Sequence, residues 1–509
     1  MTFPADGKRR DAAKIGFVFE GRPETGIEGQ SIAAALIAAG HKAFGQRADG
    51  SMRGIHCGMG VCQECLVTVD GGPNVRACAT SLTAGMGVAR FADGAEAAAA
   101  GLVSEQPIPV WRPDILVVGG GPAGLAAARA ASLCGADVAL IDERSELGGQ
   151  YFKQPATGHG PAPDAQARKG RDPIAEVERL GVRVWRDAAL WGAFGPADLA
   201  VVAGGAQQLF APSRLILATG AYERGVPVPG WTLPGYMTTG AAQTLLRAHG
   251  VAPGRRVLIA GNGPLNLQVA AELIAAGVTV MAVVETASRP GPRHAPALAM
   301  ALASSPHLIR GGIGYLWRLI KAGVPILYGH AVIAATGKQA VESATIARID
   351  PSGLPIPGTH REFEVDAVCV NHGFLPGNEI ARAIGCRHHF DMAASCLVPQ
   401  RDGDGQSTRP GVYIAGDAAF MGGAHAALAQ GFIAGCAAAR SLGKAMPRAV
   451  EAELQSSRSG LRRHGAFQSA LWRLFAAPRL TTQMAGSDTV ICRCESVTMG
   501  QLRKAVDGG

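Results

Sequence analysis

Four cysteines, Cys57, Cys62, Cys65 and Cys78, fall within 22 residues at the spacing C-x4-C-x2-C-x12-C. Three thiolates around a glycine-rich loop, with a fourth arriving from a following strand, is the arrangement that holds a [2Fe–2S] cluster. Gly58 and Gly60 lie inside the loop. Lacking Cβ atoms, they let backbone N–H groups approach the cluster sulfurs. Structural zinc would call for paired C-x2-C knuckles, and the x4–x2 rhythm does not match them. The cysteine segment precedes a nucleotide-binding pattern, so one polypeptide carries a one-electron carrier beside a two-electron carrier.

A chain of 509 residues has room for about three domains. Its 69 glycines and 48% apolar residues suit nucleotide-binding α/β folds rather than disorder. The net charge of +8 is spread without a block of like charges, which argues for solubility and against nucleic-acid binding. The opening MTFPADGKRRDAAK is polar and lacks the apolar core of a secretory leader, so a reducing cytoplasm is expected. Six of the eleven cysteines are then ligand candidates, and Cys134, Cys369, Cys386, Cys396 and Cys436 are expected as small buried hydrophobes. Residues 418–439 carry no formal charge, but they are mostly Ala and Gly and include His425 and Gln430. A buried helix explains them better than a membrane span.

Strand, helix and turn signals over 13–95 follow the order of a β-grasp ferredoxin. Residues 96–112 are expected as a linker, an alanine run followed by a proline-bearing extended stretch. DILVVGGGPAGLAAARAASLCGADVALIDE (114–143) reads as a βαβ unit. A strand runs into Gly119, Gly121, Pro122, Ala123 and Gly124, a helix follows, and the next strand ends at Asp142 and Glu143. The glycines serve the tight turn, the pyrophosphate approach and helix packing, and the acid reaches the ribose.

A second βαβ unit, RRVLIAGNGPLNLQVAAELIAAGVTVMAVVE (255–285), carries Gly261, Gly263 and a closing Glu285. Glu285 favours NAD over NADP. Asn266 stands where the third glycine belongs, so NAD(P) binding and a retained fold without that ligand both stay open. No Cys-x-x-Cys lies between 113 and 488, so thioredoxin-like disulfide chemistry is not expected. Residues 446–488 read as a helical connector whose apolar QSALWRLFAA packs on the chain's own body or docks a partner. No catalytic acid–base or nucleophile constellation stands out.

RLILATGAYE (214–223) and RPGVYIAGDAAFMGGAHAALAQG (409–431) resemble the two-dinucleotide-binding-domain flavoprotein superfamily. That resemblance makes FAD the first dinucleotide. It implies roles for Thr219 and Gly220, for Gly149 and Gln150 in a loop crossing the flavin, and for Gly416 and Asp417 at the ribityl chain. It also aims the helix start at Ala424, His425 and Ala426 toward the flavin carbonyl edge. The family uses the second unit for NAD(P)H. Cys492-x-Cys494 resembles the opening half of a bacterioferritin-associated-ferredoxin-like domain. With no second cysteine pair following, a cluster there is not expected.

The whole order resembles the FAD/[2Fe–2S] α subunits of heteromeric amine dehydrogenases. These include the A subunits of opine oxidases, hydrogen cyanide synthase B subunits with a fused ferredoxin subunit, D-hydroxyproline dehydrogenase and the first part of sarcosine oxidase α. CGMGVCQECLVTVDGGPNVRACAT, LPGYMTTGAAQTLL and GNGPLNLQVAAEL carry the likeness most specifically. The expected fold class is α/β, with two Rossmann-like dinucleotide-binding domains, one inserted in the other, behind the ferredoxin domain. FAD binding is expected over 113–245 and 361–445, the inserted nucleotide unit over 246–360, and the Cys-x-Cys segment over 489–509. The resemblance implies an electron-relay subunit of a hetero-oligomer, partnered by a D-amino-acid-oxidase-like flavoprotein β subunit. The acceptor is left open, and a membrane-bound one would bring the chain to a membrane surface peripherally. A self-sufficient NAD(P)H-dependent reductase and a non-catalytic nucleotide-binding scaffold are the alternatives.

Overall fold

A computed structural model of the chain describes residues 13–47, 49–92, 107–156 and 164–508. Most of the expected 96–112 linker lies outside the described residues. The N-terminal sheet is mixed: Lys14–Phe19 pairs antiparallel with Arg22–Ile27 and parallel with Gly87–Ala92. The short strands Leu66–Val69 and Asn74–Arg76 add a hairpin to it. Helix Ile32–Ala38 covers the sheet, its N-terminus closed by Ser31, whose hydroxyl accepts from the Ala34 amide at 3.2 Å. This is the strand–helix–strand order of a β-grasp fold.

The first nucleotide unit is a five-stranded parallel sheet in the order Arg183–Trp185, Val138–Ile141, Ile115–Val118, Arg214–Leu217, Val412–Ile414. Its central strand, ILVV, is buried on both faces, as a parallel strand between helices must be. The second unit repeats the plan with Tyr236–Thr238, Ala367–Asn371, Arg256–Gly261, Thr279–Glu285 and Ile326–Tyr328. Two of these strands, Tyr236–Thr238 and Ala367–Asn371, lie outside the 246–360 span expected from sequence. The chain passes between the units through two three-residue strands, Ala221–Glu223 and Phe374–Pro376, which pair antiparallel. Strands that short carry no readable alternation.

The uncharged 418–439 stretch forms helix Ala424–Arg440, packed along helix Pro122–Leu133. Its small residues have a steric cause. A Cβ on Gly431 would sit 2.0 Å from the Ala123 carbonyl oxygen, and one on Gly435 would sit 2.3 Å from that of Ala127. Gly431→Ala is expected to destabilise the fold by about 2–3 kcal/mol through overpacking, read as a lowered thermal midpoint. An unchanged midpoint would show that the two helices can part at no cost. Among the described residues no helix is long and apolar enough to cross a membrane. The five cysteines expected as core are all buried.

The ferredoxin-like sheet does not hang free. Phe17, Phe19, Leu36 and Val67 share one apolar cluster with Met237, Leu245, Val269 and Leu273 of the second nucleotide unit. The connector forms helix Arg448–Leu474, which packs on helices Ala424–Arg440 and Ala295–Ser304. Ala470 is buried and Phe475 packs against the core, whereas Trp472 stays 47% exposed with its ring edge-on to Phe420. The apolar QSALWRLFAA stretch thus packs on the chain's own body through Ala470 and Phe475 and leaves Trp472 exposed.

Candidate functional site: a flavin cleft walled by the cysteine loop

The glycine turn after strand Ile115–Val118 is built by sterics. Gly119 takes φ +102°, and a Cβ there would meet the Ala218 oxygen at 2.5 Å. A Cβ on Gly124 would lie 1.7 Å from the Gly119 oxygen. Gly121 caps helix Pro122–Leu133 without a side-chain bond to its amides, so the helix N-terminus is left to a ligand. Asp142 is buried, and its carboxylate accepts from the Gly120 amide at 2.6 Å and the Arg144 amide at 2.9 Å. Burial raises its pKa. Asp142 thus ties the turn together, while its neighbour Glu143 is more exposed and pairs with Arg76 at 3.2 Å.

These residues open onto a cleft of about 560 Å³. Of the residues predicted from sequence, it gathers Gly119, Gly121, Pro122, Ala123, Asp142, Glu143, Gly149, Gln150, Thr219, Gly220, Asp417 and Ala424. Asp417 is half-buried, its carboxylate accepting from the Gly422 and Gly423 amides at 3.0 and 3.2 Å, and desolvation raises its pKa. Helix Ala424–Arg440 starts there with no side-chain cap, so its positive end faces the cleft. Gly124 and Gly416 lie behind the wall; a Cβ on Gly416 would strike that of Ala123 at 2.7 Å. His425 and Ala426 do not line the cleft. His425 stacks on His464 at 5.4 Å and meets His307 edge-on at 5.7 Å. Burial, then its two histidine neighbours, lowers its pKa.

Sequence reasoning missed several residues of this region. Glu223 lines the cleft with its buried carboxylate on the Gly240 amide (3.0 and 2.9 Å) and the Asn371 side chain (2.8 Å). Burial raises its pKa. Lys153, buried, donates to Gln150 Oε1 at 2.6 Å and to Thr244 Oγ1. Burial, helped by Arg144 and Arg247, pushes its ammonium well below the usual range. Both residues sit in or beside recognisable motifs, ATGAYE and GGQYFK, but nothing in the spacing marks them.

The cysteine loop forms part of the cleft's wall through Met59 and Val61. A Cβ on Gly58, at φ +63°, would strike the Ala241 Cα at 2.8 Å, so this glycine lets the loop seat on helix Thr239–His249. Arg76 donates to the Gly60 oxygen at 2.9 Å and to Glu143 in the cleft, stitching the loop to the nucleotide turn. Within the loop, Cys57 Sγ accepts from the Met59 and Cys62 amides at 3.5 and 3.4 Å. Hydrogen bonds from the Cys62 and Cys78 thiols hold the Cys57 thiol well below its ordinary pKa, and Cys78 also bonds Cys65. Among the described residues no group of three such side chains surrounds a single-ion position. The four thiols are linked in one hydrogen-bonded row, Cys62 to Cys57 to Cys78 to Cys65. That donor set, with amides aimed at sulfur, suits a two-iron cluster rather than one metal ion.

In the second unit, Gly261, Gly263 and Glu285 stand apart from the cleft. The Glu285 carboxylate, 2% exposed, accepts from Asn262 at 2.8 Å, the Gly263 amide at 3.0 Å and the Ala287 amide at 2.9 Å. The Asn262 side chain also donates to the Phe475 carbonyl at 2.9 Å, so the connector is tied to this glycine turn. Asn266 is not a vacant substitution: its oxygen accepts from Thr239 Oγ1 at 2.8 Å, joining two helices.

The pyridine nucleotide-disulphide oxidoreductase family matches residues 113–431, and the 2Fe-2S iron-sulfur cluster binding domain matches residues 12–92. The A subunit of opine oxidase from Agrobacterium tumefaciens is 33% identical over 411 residues, covering 77% of this chain and 78% of the relative. The hydrogen cyanide synthase subunit HcnB of Pseudomonas aeruginosa is 32% identical over 416 residues, covering 77% and 85%. L-proline dehydrogenase from P. horikoshii shares the fold, with a TM-score of 0.62 over 88% of this chain and 78% of that one at 20% identity. The chain belongs to the pyridine nucleotide-disulphide oxidoreductase family, as an oxidoreductase with FAD and a [2Fe–2S] cluster in the group of HcnB and the opine oxidase A subunits.

Proposed function

We propose that this chain is the electron-relay subunit of a hetero-oligomer whose D-amino-acid-oxidase-like flavoprotein subunit oxidises an amine, opine or imino acid. The carrying observation is the shared wall: Met59 and Val61 of the cysteine loop line the same cleft as the glycine turn. The similarity to proteins named as subunits supports the hetero-oligomer. In this reading Cys57, Cys62, Cys65 and Cys78 hold the cluster. FAD lies along Gly119–Gly124, with Gly149 and Gln150 against the ring and Asp417 at the ribityl chain. When bound, FAD exchanges electron pairs and the cluster single electrons. The chain's own work is positioning. Helix N-termini at Pro122 and Ala424 face negative charge, and Arg76 locks the cysteine loop to the nucleotide turn. The free thiols suit a reducing, cytoplasmic compartment.

The NAD(P)H-reductase alternative needs the second glycine turn, where Asn262 is tied to Phe475 and Gly263 to Glu285. Anaerobic NADH added to the purified chain is therefore expected to leave the flavin oxidised, while dithionite reduces both centres. Bleaching by NADH with a growing reduced-cluster EPR signal would install the reductase reading instead. Centres that no donor reduces would favour a nucleotide-binding scaffold.

A further inference from the structure

The Cys492-x-Cys494 segment is anchored against the cysteine loop. Its middle residue, Arg493, is 7% exposed and reaches Glu64, a fully buried residue between Cys62 and Cys65. The Arg493–Glu64 contact is 3.1 Å, and Arg47 meets the same carboxylate oxygen at 2.6 Å. The Arg493 guanidinium lies over the Trp231 ring at 4.9 Å and donates to the Trp231 carbonyl. Trp231 returns a bond from its indole N–H to the Val490 carbonyl at 2.6 Å. Cys494 Sγ lies 3.6 Å from the Cys62 carbonyl. One side of the cysteine loop faces the flavin cleft, and the Cys-x-Cys segment covers another.

A latch made for stability alone would not be built this way. Buried ion pairs contribute little against apolar replacements of the same volume. This one also leaves Glu64 Oε1 and the Arg47 and Arg493 Nε atoms buried without a hydrogen-bond partner. Two guanidinium groups against one carboxylate leave that trio itself net positive behind the cysteine loop. A cluster held by four thiolates is negative and becomes more so on taking an electron. Fixed positive charge beside it favours the reduced form, and net charge and hydrogen bonding are levers that set such potentials.

We infer that Arg493 is a positioning residue that sets the reduction potential of the cluster by countering Glu64 from the C-terminal segment. The inference rests on the reading of Cys57, Cys62, Cys65 and Cys78 as cluster ligands. It gives the Cys-x-Cys segment a role that needs no second cluster: it carries a charge to the first one.

The test is an EPR-monitored redox titration of the full chain and its variants. Arg493→Gln is expected to make cluster reduction about tenfold less favourable, ~59 mV downward for a one-electron couple. Glu64→Gln is expected to shift it upward by a similar amount, and the double variant to return near the parent value. Arg493→Lys keeps the charge and is expected to stay near the parent potential even where thermal stability falls. If Arg493→Gln does not assemble, Glu64→Gln and Arg493→Lys carry the test. A midpoint unmoved in Glu64→Gln, or displaced in Arg493→Lys as far as in Arg493→Gln, overturns the proposal. A parent chain with no reduced-cluster signal would instead sink the ligand assignment on which it rests.

Discussion

Cys65→Ser is expected to remove the iron–sulfur cluster while leaving FAD in place. Cys65 is 1% exposed, bonds through its thiol with Cys78, and lies in the core that joins the ferredoxin-like sheet to the second nucleotide unit. A hard hydroxyl there is a much poorer iron–sulfur ligand than a thiolate. The flavin cleft is contributed by other elements, with only Met59 and Val61 supplied by the cysteine loop. The flavin absorbance should therefore persist and the reduced-cluster EPR signal should vanish. Turnover with one-electron acceptors should fall by well over about a hundredfold, beyond the 10–100-fold that losing one supporting contact costs at a metal site. A variant that keeps the EPR signal would exclude Cys65 as a ligand.

Gly124→Val should do the reverse and yield a chain with cluster but little FAD. The Cβ alone would stand 1.7 Å from the Gly119 oxygen, and neither backbone can move without opening the turn. Gly119 is itself pinned against Ala218. The helix start that receives the pyrophosphate must then shift, and FAD affinity is expected to drop by about a hundredfold or more, roughly 2.7 kcal/mol. Flavin content after gel filtration, set against iron content, reads this directly. Stoichiometric flavin in the variant would mean that the turn does not hold the dinucleotide. The pair of variants separates the two centres: each is expected to lose one and keep the other.

What could be read from sequence was local. The cysteine spacing, both glycine turns and the charge-free helix are patterns over fewer than about thirty residues, each with a steric or chemical cause. What could not be read joins residues far apart in the chain. Arg76 on Glu143 and Gly58 against Ala241 make the cysteine loop a wall of the flavin cleft. Arg493 reaches Glu64 across 429 positions, and Asn262 is tied to Phe475 across 213. Such contacts leave no periodic trace. Asn266 teaches a related point: read as a missing glycine, it is a buried hydrogen-bonding residue between two helices. Motif position puts His425 at the flavin, but a helix start fixes the backbone there and not the side chain, which turns to His307 and His464.

Electrons are expected to pass between FAD and the cluster within this one chain. Anaerobic photoreduction of the bound flavin, followed by absorbance and low-temperature EPR, tests it most directly. The reduced [2Fe–2S] signal is expected to grow in the dark after each light pulse while flavin absorbance partly recovers. A flavin that stays bleached beside a silent but dithionite-reducible cluster would contradict it.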